Sequence, residues 1–301
     1  MLAQTRRVAT CGLLAFAIVF CAGCGSFSPI SSIERSLIYH PSPYPEGDWQ
    51  PTNASVEDVF FTAEDGAKLH GWYLHHPAPR AVVLFTHGNA GNITSRIDLL
   101  RTLNQQHGLA VMAFDYRGYG RSEGSPDEQG VLNDARAARV WLARRTNVTE
   151  REIVLFGRSL GGAVAVDLAA RDGASGLILV STFTSVPAVG SHHMWWLPTN
   201  LLMKERFDSL SKIGRYPGPL LYAHGDADEL IPISQGRRLF DAATGTKQFI
   251  TLPGGRHNTP LGLEFHTALD AFIEVLPRTA QANPDCHYCL PLGSRARLPY
   301  P

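Results

Sequence analysis

Ile153-Val154-Leu155-Phe156-Gly157-Arg158-Ser159-Leu160-Gly161-Gly162-Ala163-Val164-Ala165-Val166 is the stretch on which the fold of this chain turns. Its first four residues are a short apolar, β-rich run and read as a buried strand. From Leu160 onward the small and apolar residues read as a helix able to pack closely on a strand. Between them lies Gly-x-Ser-x-Gly, on what must be a sharp strand-to-helix turn. Such a turn exposes the serine Oγ and aims the free N–H groups of the helix start at a reacting carbonyl. A second match, Gly120-Arg121-Ser122-Glu123-Gly124, lacks that setting. It follows the glycine-broken Tyr116-Arg117-Gly118-Tyr119 and precedes Ser125-Pro126-Asp127, which is loop and cap chemistry. Ser159 is therefore the candidate nucleophile and Ser122 a loop residue.

On either side of this stretch, from Val56 onward, short apolar runs alternate with longer amphipathic segments, as in a mostly parallel sheet flanked by helices. Eight strands are expected, at 59–62, 69–74, 81–86, 110–114, 153–156, 177–180, 220–223 and 249–252. The first two are close enough to form a hairpin around Glu64-Asp65-Gly66. Helices are expected at 93–106, 127–145, 160–171, 234–243 and 261–276. The α/β class follows, with one domain over 56–277 and a short lid-like insertion at 181–218. That insertion holds His192-His193-Met194-Trp195-Trp196-Leu197 and Leu201-Leu202-Met203, either lid core or substrate-contacting.

At 301 residues and 44% hydrophobic, the chain can bury one substantial core. Its 27 basic residues balance 27 acidic ones, so the electrostatic footprint of a nucleic-acid binder is missing. Arg6 and Arg7 precede an apolar run from Cys11 to Ala22, too short for a comfortable membrane span and suited to a signal-peptide core. The run closes on Cys21-Ala22-Gly23-Cys24, which resembles the bacterial lipoprotein box, with cysteine at position 21 where an aliphatic is usual. The expectation is a leader at 1–23, a lipid anchor on Cys24, export to the cell envelope, and a serine- and proline-rich tether and entry segment at 24–55. Cys286 and Cys289 sit in an aperiodic tail at 278–301 and are read as a short disulfide loop in an oxidising compartment, with no role in chemistry.

A serine needs a base within hydrogen-bond reach and a third group to orient that base. In sheets of this class such groups gather after the carboxyl ends of strands. Among the 12 histidines, His257 fits best, in the glycine-rich loop Pro253-Gly254-Gly255-Arg256-His257-Asn258 between the last strand and the last helix. His224 ends a strand and is expected to pack there. The loop after the seventh strand, Gly225-Asp226-Ala227-Asp228-Glu229-Leu230-Ile231-Pro232, offers three acids, and residue types alone do not choose among them. Stabilising the negative charge that develops on the substrate needs two N–H donors. One is expected from the backbone of Leu160, the other from the loop Thr86-His87-Gly88-Asn89-Ala90-Gly91-Asn92.

The segments Asp115-Tyr116-Arg117-Gly118-Tyr119-Gly120, Phe156-Gly157-Arg158-Ser159-Leu160-Gly161-Gly162, the acidic loop and Gly255-Arg256-His257-Asn258 together resemble the single-domain α/β-hydrolase superfamily. Within it the chain is similar to the small membrane-associated abhydrolases, sometimes called peptidase-like. The elbow and its serine, acid, histidine order are that superfamily's known pattern. The resemblance implies that Asp228 is the acid, ahead of Asp226 and Glu229, and that Asn89 N–H, or else Ala90 N–H, joins Leu160. It further implies hydrolysis of carboxylic esters or thioesters; the aromatic and aliphatic insertion and the expected membrane tether suggest acyl chains as substrates, and with no metal, nucleotide or flavin signature beside the triad, no cofactor and no metal are expected. Peptide or amide cleavage by the same triad is the alternative, and a non-catalytic envelope protein on a hydrolase fold the second one.

Overall fold

The computed structural model describes residues 29–52 and 54–277. The expected leader, Cys24, the tail and its two cysteines lie outside the described residues. Eight strands form one sheet: β1 (Glu57–Thr62), β2 (Lys68–Leu74), β3 (Val82–Thr86), β4 (Ala110–Phe114), β5 (Val154–Arg158), β6 (Gly176–Val180), β7 (Leu220–Gly225) and β8 (Lys247–Leu252). Their order is β1-β2-β4-β3-β5-β6-β7-β8. The β1–β2 hairpin is antiparallel, β2 runs antiparallel to β4, and every other pair is parallel. The helices in chain order are α1 (Pro29–Ile38), α2 (Ile97–Gln105), α3 (Glu128–Thr146), α4 (Leu160–Asp172), α5 (Val186–His193), α6 (Thr199–Leu202), α7 (Leu210–Ile213), α8 (Ile233–Ala242) and α9 (Leu263–Val275).

The strand order explains where a site can form. The chain steps from β3 outward to β4, then returns to β5 on the other side of β3. Connections leaving β3 and β5 therefore diverge, and a crevice opens beyond their carboxyl ends. Ser159 follows β5 and the loop 87–92 follows β3, so both border that crevice. The sheet holds this geometry by burial on both faces. Leu84, Met112 and Leu155 join one core with α3 and α4 residues such as Ala135, Leu142 and Val164. Val83, Val111 and Phe156 join the opposite core with Leu100 and Leu103 of α2 and Phe265 and Leu269 of α9.

Local chemistry sets the helix ends. The Asp127 carboxylate caps α3 by accepting from Gly130 N–H at 2.8 Å, and Asn147 closes the helix in the left-handed region, φ 54°. At the elbow a Cβ on Gly161 would land on the backbone carbonyl of Thr86, and one on Gly157 on the carbonyl of Gly161. Both glycines are thus imposed by close helix–strand approach. We expect Gly161→Ala to destabilise the protein by about 3 kcal/mol or more, because its clash is with backbone that has nowhere to go. Urea unfolding of the variant beside the parent checks this.

The structure refines two expectations. The tether and entry segment holds an unexpected helix, α1 at residues 29–38, and the chain beyond it is stitched into the domain. His40 N–H donates to Asn89 O at 3.0 Å, Ser42 N–H to Gly91 O at 3.1 Å and Tyr44 N–H to Gly120 O at 2.7 Å. Asn92 Nδ2 donates to the carbonyls of Ser42 and Glu46. The insertion at 181–218 carries three short helices, α5 to α7, but its tryptophans are not lid core. Trp195 is 85% and Trp196 68% exposed.

Candidate active site

Ser159 sits at φ 54°, ψ −121°, a backbone conformation that non-glycine residues rarely adopt. The surroundings over-determine it. Ser159 N–H donates to Val180 O at 2.9 Å, Thr182 Oγ1 to Ser159 O at 2.7 Å, and Thr86 Oγ1 to Gly161 O at 2.8 Å. The hydroxyl is thereby projected off the turn. Its Oγ lies 3.1 Å from His257 Nε2, and His257 Nδ1 lies 2.9 Å from Asp228 Oδ2. With Nδ1 donating to the carboxylate, Nε2 is left as the acceptor for the serine proton.

Among the three acids the structure brings only Asp228 to His257. Asp226 is exposed and its Oδ1 accepts from Gly254 N–H at 2.7 Å; Glu229 is exposed and pairs with Arg256. Burial alone would raise the Asp228 carboxyl. Hydrogen bonds from His224 and His257, with that from Ile231 N–H, override it and hold the group well below the usual carboxylate range. Asp228 is thus an ionised acceptor across the physiological range, which is what orientation of an imidazole requires.

Two contacts at this site were not read from the sequence. His224 is wholly buried, with Nε2 at 2.8 Å from Ile231 O and 3.2 Å from Asp228 Oδ2, so the carboxylate touches two imidazoles. Gly236 makes room for it, since a Cβ there would crowd His224 Nδ1. Arg158, the variable residue before the serine, donates from Nη2 to His257 O at 2.9 Å and so ties the histidine loop to the elbow. The Arg158 contact spans 99 residues and the His224 contact closes across the turn after β7, and no pattern of residue types announces either. Ser122 is buried in a structural role, donating to Asp115 O at 2.7 Å and accepting from His70 N–H at 2.9 Å.

The loop after β3 is anchored from several sides. Asn89 Nδ2 donates to Ile38 O at 2.7 Å, and its carbonyl accepts from His40 N–H and Tyr119 OH. Asn89 and Leu160 both border a cavity with Ser159, whereas Ala90 is paired with His40 in a short parallel bridge. As the first residue of α4, Leu160 has an N–H with no acceptor inside its helix. Gly88 leaves the space over the serine open, a Cβ there standing 3.9 Å from Ser159 Oγ.

His87 in this loop is completely buried against the Tyr116 and Tyr119 rings. Burial, with the Arg96 charge adding to it, pushes its pKa down to about 3. The unfolded chain, with an ordinary histidine value of about 6.5, then binds a proton that the folded protein refuses. Stability therefore falls as pH drops from about 6.5 toward 3, by at most about 1.4 kcal/mol per pH unit from this residue. We expect His87→Gln to flatten the pH dependence of the urea midpoint between pH 6.5 and 4. Equal slopes in parent and variant would assign the acid sensitivity elsewhere.

The cavity over Ser159 has a volume of about 610 Å³, within the range of roughly 300–1,000 Å³ usual for small-molecule sites. Its walls are mostly apolar. Val186 and Val189 come from α5, Leu202 and Met203 from the last residue of α6 and the one after it, and Ile38 from α1. Helix α1 is fastened to the insertion through Glu34, whose Oε1 accepts from Lys204 N–H at 2.7 Å and Glu205 N–H at 2.9 Å. Glu205 in turn accepts from Tyr39 OH and Glu128 N–H.

A sheet of this order with a strand-to-helix elbow at its switch point defines a class, and the chain belongs to the α/β-hydrolase superfamily. The family described as serine aminopeptidase, S33, matches residues 77–211. An uncharacterized protein of Mycobacterium tuberculosis is 39% identical over 266 residues, covering 88% of this chain and 94% of the relative. The α/β-hydrolase domain-containing protein WAV2 of Arabidopsis thaliana is 33% identical, covering 68% and 73% of the two chains. Among solved structures, the Pyrococcus furiosus esterase Pf2001 matches with a TM-score of 0.66 at 19% identity, over 79% of this chain and 99% of that one. At that identity the likeness carries the fold alone.

Proposed function

We propose that this hydrolase cleaves carboxylic esters or thioesters of acyl chains through an acyl-enzyme on Ser159. The observation that carries the reading is the Ser159–His257–Asp228 chain of hydrogen bonds opening into a cavity walled by aliphatic side chains. Ser159 Oγ attacks the acyl carbonyl as its proton passes to His257 Nε2, and Asp228 supports the imidazolium formed. The N–H groups of Leu160 and Asn89 receive the oxyanion. Collapse expels the alcohol or thiol, which takes the proton from His257. Water, deprotonated by the same imidazole, then releases the acid and frees the serine.

The alternative of an aminopeptidase has a specific requirement, a carboxylate to receive the substrate ammonium. Among the described residues bordering the cavity, the one carboxylate is that of Glu34, and its Oε1 is engaged by two backbone N–H groups. This favours the ester reading. Turnover of p-nitrophenyl esters from acetyl to palmitoyl, measured beside aminoacyl p-nitroanilides, tests it. Faster turnover of the esters, rising with chain length beyond acetyl, is expected; a higher kcat/KM on the anilides would overturn the reading.

We further propose that the enzyme sits at the bacterial envelope, exported by its leader and held by lipid on Cys24. Labelled palmitate should be incorporated by the parent chain expressed in a bacterium and not by Cys24→Ser.

A further inference from the structure

Helix α1 carries its apolar residues on both faces. Glu34 and Ile38, four residues apart, are buried against the domain, as a surface helix requires. Ile33 and Leu37, also four residues apart, are 62% and 64% exposed, where polar side chains would be expected. These two residues also border the cavity over Ser159, so the exposed stripe forms part of its mouth. The insertion completes the rim. Leu202 lines the cavity while half exposed, and Leu201 beside it is 83% exposed. Trp195 and Trp196, both exposed, fall between the cavity-lining Met194 and Leu197. Leu230, from the loop that holds Asp228, is a further exposed residue lining the cavity. Large apolar side chains from three separate segments thus gather around one opening, and such a patch marks an interaction surface.

The chain before α1 names the occupant. Cys24, the expected lipid attachment site, stands five residues before Pro29, and five residues of extended chain reach at most about 18 Å. A lipid on Cys24 therefore keeps the start of α1 within that distance of the bilayer, whatever path the intervening residues take. With α1 forming part of the cavity mouth, the tether brings this mouth to the membrane, and tryptophan and leucine are side chains that settle at a lipid interface.

We infer that the rim of the cavity, formed by α1 and the 194–202 segment, is a lipid-docking face that seats the opening over Ser159 on the bilayer, so that acyl chains enter from the membrane. This inference rests on the acyl-ester reading for its substrate, and on the tether only for proximity. A tether alone would leave any face free to meet the lipid, and the orientation is what the experiment must read.

The full-length protein is bound to phosphatidylethanolamine–phosphatidylglycerol vesicles whose acyl chains are, or are not, brominated. Docking by this face quenches the parent's tryptophan emission on brominated lipid. The double variant Trp195→Phe, Trp196→Phe loses that quenching, because Trp72 is buried and Trp49 and Trp141 pack against the cores. In parallel, the triple variant Trp195→Ser, Trp196→Ser, Leu201→Ser should hydrolyse a vesicle-embedded long-chain ester about tenfold more slowly than the parent, with its rate on a soluble short-chain ester unchanged. Identical quenching of the parent and the double phenylalanine variant, or an equal loss on both esters in the triple variant, would overturn the inference. Failure of the parent on every ester would instead overturn the acyl-ester reading, and the quenching would still report which face meets the lipid.

Discussion

Replacing Ser159 by alanine is expected to abolish labelling by a fluorophosphonate probe and to lower kcat on an acyl ester by roughly 10⁴–10⁶-fold. The magnitude follows from what is left behind. His257 and Asp228 keep their hydrogen bond, and Leu160 and Asn89 still border the cavity, but no hydroxyl remains on the turn to form the proposed acyl-enzyme. Ser122→Ala is the control for the second Gly-x-Ser-x-Gly. Its Oγ is buried between Asp115 O and His70 N–H, so that variant should lose some stability and keep its labelling. Labelling that survived in Ser159→Ala and vanished in Ser122→Ala would reverse the assignment. Circular dichroism on each variant confirms that the fold persists, which matters because Ser159 occupies a left-handed conformation that alanine must also adopt.

Asp228→Asn should reduce kcat by about 10⁴-fold, whereas Asp226→Asn should stay within about threefold of the parent. The contrast comes from position alone, since the two residues are separated by one alanine. Asp228 receives both His257 and His224, and an asparagine there loses the ionised acceptor or turns an N–H toward an imidazole donor. The histidine would then be held in the wrong tautomer with its imidazolium unsupported. Asp226 does no more than accept from Gly254 N–H, a bond that an asparagine oxygen can also make. Steady-state kinetics on one ester with both variants checks this, and a large loss in Asp226→Asn with a mild one in Asp228→Asn would move the acid to position 226.

Most of the scaffold could be read from residue patterns because its causes are local. The apolar runs around Val83, Met112, Leu155 and Ile178 can be buried on both sides only as inner strands, and each became one within two residues of its expected bounds. The elbow was legible because the strand run, the Gly-x-Ser-x-Gly and the helix run adjoin in sequence, and Gly157 answers to a clash with Gly161 and Gly162 beside it, although the clash that imposes Gly161 is with Thr86 of a distant strand. His257 could be singled out by its place after a strand end, a rule of topology that follows from strand order.

The choice among Asp226, Asp228 and Glu229 was not local. Their residue types are nearly equivalent, the family resemblance alone favoured Asp228, and the geometry separates them by where the loop after β7 folds against β8 and its histidine loop. His224 and Arg158 were silent in the same way, each acting through a partner far away in the chain or across a turn. Helix α1 was missed because a serine- and proline-rich stretch of ten residues has too little intrinsic helix preference to stand alone. It is held by Glu34 reaching the insertion 170 residues later and by Ile38 in the core. Periodicity and turn chemistry, written in neighbouring residues, thus specified the sheet, the elbow and the order of the candidate triad. Which carboxylate meets the imidazole, what walls the cavity and where its mouth opens depend on contacts between distant segments, whose energies exist only once the chain has closed on itself.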